Sequence, residues 1–146
     1  MFFLSAVLVL CGCSPKATLS GLAPVQGVVT LDGNPVEGAI VSFSPLQSNG
    51  EMRAAAGQTD AQGKFLMTTL SPQDGVTPGK FAVTVIKYEK YGPPPLKVIN
   101  ESGEDVTPPH PEKNVLPKKY ETRETSDIQV TIPDSGDKNI TIDLKS

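Results

Sequence analysis

Val25-Gln-Gly-Val-Val-Thr-Leu-Asp-Gly-Asn-Pro-Val-Glu-Gly-Ala-Ile-Val-Ser-Phe43 decides the fold class. Val25, Gly27, Val29 and Leu31 fall on one side of an extended chain; so do Ala39, Val41 and Phe43. Alternation with period two is the signature of half-buried strands. Asp32-Gly33-Asn34-Pro35 supplies the turn between the two runs. Gly33 tolerates positive φ, while Pro35 fixes its own φ and has no N–H to offer a ladder. The stretch reads as an opening β-hairpin.

The same pattern recurs downstream. After a polar loop over residues 46–52, Arg53–Thr59 is a weak strand of small residues suited to an edge. Asp60-Ala-Gln-Gly63 turns into Lys64–Thr69, with Phe65 and Met67 inward. Lys80–Tyr88 is the strongest run. Phe81, Val83 and Val85 share one face, and Ala82, Thr84 and Ile86 the other, as in a central strand. Ile128–Ile132 and Ile140–Leu144 alternate around Pro133-Asp-Ser-Gly-Asp137 and read as a closing hairpin. The result is an all-β chain of seven strands without a helix, its expected core being Phe43, Phe65, Phe81, Val83, Val85, Ile128, Val130, Ile140 and Ile142.

Composition bounds the function. The chain has 146 residues, enough for one domain with its own core. Thirteen basic against sixteen acidic residues, dispersed along the chain, leave no basic patch for nucleic acid. Residues 89–117 hold seven of the fourteen prolines, so this segment reads as a long Pro-rich loop rather than a ladder. Loops of that length are commonly functional or disordered.

The N-terminus carries the cellular address. Phe2–Leu10 is apolar but too short to span a bilayer, and has the length of a signal-peptide core. Leu10-Cys11-Gly12-Cys13 resembles the lipobox of bacterial lipoproteins. That resemblance implies a signal peptide over 1–12 and lipidation (palmitate among the acyl chains) at Cys13; the small, polar residues from Ser14 to Pro24 read as a flexible tether, so that 13–24 precede a domain at 25–146. Cys11, preceded by Leu10, fits less well. Ser14 resembles the position that directs outer-membrane sorting, so the expected address is the cell envelope, facing the periplasm or exterior. The region before Phe2 lacks Lys or Arg, consistent with a start codon lying upstream. After cleavage only Cys13 would remain, so no disulfide would hold the domain.

Three stretches carry a further resemblance: Gly27–Ala39, Thr59-Asp-Ala-Gln-Gly-Lys-Phe65 and Pro78-Gly-Lys-Phe-Ala-Val-Thr-Val85. Together they look like the carboxypeptidase regulatory-like domain. Leu116-Pro-Lys-Lys-Tyr120, followed by two alternating strands, resembles small bacterial lipoproteins carrying it. The likeness implies a transthyretin-like (prealbumin-like) seven-stranded Greek-key β-sandwich. It specifies fold well and function poorly. Peptidase activity in the carboxypeptidase family belongs to a separate zinc domain, and hydroxyisourate hydrolase of the same fold relies on histidines and a C-terminal tail that this chain does not reproduce.

The chemistry-bearing residues are few. His110 is the single histidine, and a catalytic zinc site ordinarily takes three protein ligands. Glu104, Asp105 and Glu112 could join it, but an exposed loop histidine is the simpler reading. Asp32-Gly33-Asn34 opens like a calcium loop and fails at Val36 and Glu37. No Gly-x-Ser-x-Gly is present. The chain is therefore expected to be no enzyme and to need neither metal nor cofactor. Tyr88, Lys90, Tyr91 and His110 are the candidate partner-binding residues, with Tyr88 and Tyr120 expected to pack across the mouth of the loop. The leading expectation is a lipid-anchored interaction or structural module of the envelope, held to the membrane through Cys13. A carbohydrate- or peptidoglycan-binding module is the alternative, since tyrosine rings can stack on sugars.

Overall fold

The computed structural model describes residues 21–47, 50 and 52–146. The signal peptide, Cys13 and most of the expected tether lie outside the described residues. Ten strands follow in chain order: β1 (Val25–Leu31), β2 (Asn34–Pro35), β3 (Ile40–Pro45), β4 (Ala55–Gln58), β5 (Lys64–Leu66), β6 (Gly79–Ile86), β7 (Tyr88–Lys90), β8 (Glu112–Asn114), β9 (Gln129–Ile132) and β10 (Asp137–Leu144). Among the described residues a single 3-10 turn occurs, over Lys118–Tyr120. All seven expected runs are strands; β2, β7 and β8 are additional.

The strands form two four-stranded sheets and a separate ribbon. In the first sheet β1 pairs with β10 on one side and with β2 and β5 on the other. The second has the order β4-β3-β6-β9 and is antiparallel throughout, with β4 at an edge and β6 inside, as expected. Phe65 of the first sheet meets Phe43 of the second edge to face, with centroids 6.4 Å apart, and Phe81 lies 5.9 Å from Phe43. These rings join the apolar faces of the two sheets, giving a sandwich-like all-β core.

Two expected hairpins are corrected. β1 turns back through Asp32 (φ 50°) and Gly33 (φ 85°), two consecutive left-handed residues that suit a tight hairpin turn. Its partner is the two-residue β2, paired Leu31 to Asn34 and Thr30 to Pro35. Val36 N–H still reaches Val29 O at 3.1 Å. The chain then bends at Gly38 (φ 70°) and enters the other sheet as β3. Buried Thr59 secures this crossing: Ala39 N–H donates to its Oγ1 (2.8 Å) and Thr59 N–H donates to Ala39 O (2.9 Å). Likewise β9 and β10 are not paired with each other. The turn at Pro133–Gly136 carries the chain from the edge of one sheet to the edge of the other. Alternation reports which side of a strand is buried, not which strand lies beside it.

β10 runs parallel to β1, so the first and last strands of the domain lie side by side. Gly27 is needed there. A Cβ at this position would lie 2.4 Å from Ile140 O and 2.7 Å from Phe65 Cζ. Seven of the nine expected core residues are buried; Ile128 and Val130 are only partly so, because β9 is an edge strand. Met67, Val76, Leu116, Tyr120, Ile132 and Leu144 are among the further residues buried in the core. Packing also reaches back to Ala23, inside the stretch expected to be tether: Ala23 is buried and exchanges backbone hydrogen bonds with Val76 (2.8 and 2.9 Å).

Candidate functional site

The segment 89–117 is not a plain loop. β7 and β8 form a two-stranded ribbon paired with no other strand, Tyr88 opposite Asn114, Glu89 opposite Lys113 and Lys90 opposite Glu112. Asn114 clamps its base. Its Oδ1 accepts the N–H groups of Lys87 and Leu116, both at 3.1 Å, and Val115 N–H donates to Lys87 O. Farther out, Tyr91 N–H donates to Pro111 O (3.0 Å), and His110 Nε2 lies 3.2 Å from Gly92 O. The tip closes on Asn100, whose Oδ1 accepts from Ser102 and Glu104 N–H. Asp105 accepts from Thr107 N–H and sits 3.9 Å from Lys97; the Thr107 hydrogen bonds hold its carboxyl below the usual range. The prolines interrupt the ladder between these anchor points. The whole is an arm ordered by its own short-range hydrogen bonds.

The four candidate partner-binding residues all lie on this arm, but they do not converge. Tyr88 and Lys90 fall on one face of β7 by alternation, and Glu89 and Tyr91 on the other. Lys113, opposite Glu89, reaches over the Tyr91 ring with Nζ 5.9 Å from its centroid. His110 is committed to Gly92 O, next in the chain to Tyr91 and not to Tyr88 and Lys90. Tyr88 does not pack with Tyr120: it stays half exposed, whereas Tyr120 is buried beneath the sandwich edge and its hydroxyl accepts from Lys145 N–H at 2.9 Å. No group of three or more metal-binding side chains occurs among the described residues.

Seven large apolar side chains stand exposed on the arm, Leu96 most of all at 86%, with Tyr88, Tyr91, Val98, Ile99, Val106 and Val115. Single exposed apolar residues are ordinary, but a cluster on one element is not. Sequence reading found the segment and two of these residues. It missed the aliphatic ones, because an apolar residue in a Pro-rich stretch has no periodicity to betray its exposure.

A second feature had no sequence signal. A groove of about 1080 Å³ opens where β4 and β5 splay into different sheets. The two strands are still tied at Ala56–Thr68 and at Asp60–Lys64. Gln26, Gln58, Gln73 and Asn139 bring amides to it, and Ile40 and Leu66 bring half-exposed aliphatics. Its rim is rigid. Gln73 is held at φ 61° with its N–H donating to Thr68 Oγ1 (2.9 Å). Next to it, the Asp74 carboxylate accepts from the N–H groups of Thr69 (2.6 Å), Leu70 (2.9 Å) and Ser71 (2.8 Å). Partial burial pushes this carboxyl upward, but the backbone donors Thr69, Ser71 and Leu70 together outweigh it, leaving it below its ordinary value.

No known family's profile matches the chain, and no curated protein matches it. Among solved structures it is similar to a 9R-lipoxygenase from Cyanothece PCC8801, at 11% identity and a TM-score of 0.35. The match covers 96% of this chain and 18% of that protein's length. The expectation that this chain is no enzyme is withdrawn. A likeness so slight assigns no activity either.

Proposed function

We propose that the protein is a lipid-anchored module of the bacterial cell envelope, probing a partner with the arm that projects from its sandwich. The observation that carries this reading is the cluster of exposed apolar side chains on a segment the core does not need, held in order by its own hydrogen bonds. The address rests on Leu10-Cys11-Gly12-Cys13, with Cys13 as the lipidated residue and the outer membrane as destination. The fold reading is a transthyretin-like, carboxypeptidase regulatory-like Greek-key sandwich; the sheet-switching of β3 and β10 supports it. Replacing residues 92–113 by a short Gly/Ser linker tests the arm: cross-links to envelope partners should vanish while cooperative melting persists. Persistence of those cross-links would place recognition elsewhere. Palmitate labelling lost in Cys13→Ala and kept in Cys11→Ala tests the anchor.

Binding of a polysaccharide or peptidoglycan is the second reading, supported by the amide-lined groove. Tyr88 and Tyr91 on opposite faces of the ribbon offer a sugar ring no paired platform, which weakens the stacking version of it.

A further inference from the structure

The large apolar side chains exposed among the described residues number ten, and they fall in two places. Seven are on the arm. The other three are at the groove: Ile40 and Leu66 line it, and Leu70 stands in the Asp74-clamped loop beside it. The two patches also differ in charge. The arm tip carries Glu101, Glu104 and Asp105. Of these, Glu104 is hydrogen-bonded to Asn100 and Asp105 faces Lys97, while Glu101 has no partner among the described residues. The groove carries Asp60, Lys64 and Lys138. Asp60 is spent on its own turn, accepting from Gln62 and Lys64 N–H. Neither lysine has a carboxylate within ion-pair distance among the described residues. The carboxylates at the groove, Asp60 and Asp74, are both taken up by backbone N–H groups, so among the described residues the groove offers two lysines without an ion-pair partner and the arm tip offers a glutamate without one.

We infer that the arm tip of one copy seats in the groove of a second copy. The inference rests on the reading of the arm as the recognition element and names its partner as this same chain. Aliphatic residues of the tip would cover Ile40 and Leu66. Its carboxylates, Glu101 above all, would meet Lys64 and Lys138, and the groove amides would hydrogen-bond to main-chain groups beside the prolines that flank the tip. Charge complementarity of this kind sets register and partner choice. An arm bending onto its own groove is disfavoured by the clamp at its base, where Asn114 and Val115 fix Lys87. The two surfaces in contact are different, so the interface is heterologous, and copies would add head to tail into a ring or a row.

The test uses the full chain with a photoreactive residue at Leu96, as an equal mixture of 14N- and 15N-labelled protein. Light–heavy cross-links from residue 96 to peptides spanning 56–73 or 134–146 are expected. Lys64→Glu with Lys138→Glu, checked by melting to be folded, should reduce them at least roughly tenfold, the smaller end of what close interfacial charge pairs contribute. Adding Glu101→Lys to that variant should recover part of the loss. Links confined to one isotope would mean that the arm closes on its own groove, and would overturn the inference. So would links lying outside the groove, or none. If the 92–113 replacement abolishes links to other envelope proteins while light–heavy links never form, the proposed function stands and this inference falls.

Discussion

Phe43→Ala should be among the most damaging single substitutions in the chain, and Ile40→Ala among the mildest on the same strand. The two side chains are three residues apart on β3 and point to opposite faces. Phe43 is fully buried and touches both Phe65 and Phe81, whereas Ile40 is 40% exposed at the groove. Truncating a fully buried phenylalanine costs about 3–5 kcal/mol, because the transfer free energy is lost and a cavity remains. Part of that sum is the two ring pairs, each worth about 0.5–1.5 kcal/mol beyond area burial. Whole-domain stability is about 5–15 kcal/mol, so the loss is a large share of it. At roughly 4 °C per kcal/mol for a domain of this size, Tm should fall by roughly 12–20 °C. Ile40→Ala should lower stability by less than about 1.5 kcal/mol, since much of the side chain is already in water. Differential scanning calorimetry on both variants decides the matter. Equal depressions of Tm would refute the register of β3 and with it the joining of the two sheets through Phe43.

Gly27→Ala places a methyl group against Ile140 O and the Phe65 ring, and should cost at least about 1–3 kcal/mol; unchanged amide-exchange protection along β1 and β10 would contradict the close approach of those strands. Asp74→Asn should cost about 1 kcal/mol at neutral pH, since a charged acceptor of three backbone N–H groups is replaced by a neutral one. Because the folded-state value of Asp74 is depressed, its contribution is complete above the ordinary value of 3.8 and is lost as pH falls below it. The gap in Tm between wild type and Asp74→Asn should therefore narrow below that pH; a gap that stays constant would count against the clamp. Asn114→Ala leaves two N–H groups at the arm base without their acceptor and should cost about 1–3 kcal/mol locally. Hydrogen exchange should rise at Lys87 and Leu116 while β3 and β6 stay protected, and uniform loss of protection would show that the arm is not a separate element.

The strands were legible in the sequence and their neighbours were not. Val25–Leu31, Ala39–Phe43 and Lys80–Ile86 announce their buried faces through alternation, and that part agrees residue by residue with the burial of Val29, Val41, Phe43, Phe81, Val83 and Val85. Pairing depends on where a chain crosses between sheets, and the crossings here are made by Val36–Gly38 and Pro133–Gly136, short segments that look like ordinary hairpin turns. The arm was found as a Pro-rich interruption, but the ladder within it depends on Asn114, which reads as an unremarkable polar residue. The groove left no trace at all. It arises because β4 and β5, a hairpin in sequence, part company into two sheets, and no local pattern encodes that divergence.

That divergence also fixes where the two exposed patches stand. Gln58, Ile40 and Ile86 lie in one row across β4, β3 and β6, spanning about 10 Å at the usual strand spacing. The groove lip and the arm base therefore occupy the same end of the second sheet. From Lys87 to the tip at Glu101 the arm has at most about 46 Å of reach, taking about 3.3 Å for each of the intervening residues. A body of about 100 residues has a radius of gyration of about 13 Å, hence a diameter of roughly 34 Å. Even with its proline bends, the arm can extend past its own body to a neighbour's. A lip beside its own arm base is hard for a stiff hairpin to reach, while the lip of a displaced copy is not. Shortening the arm between its anchor points, while keeping the Asn114 clamp and the Asn100 tip, should thus weaken association steeply without lowering Tm. Association that is indifferent to arm length would mean that the tip is not what docks.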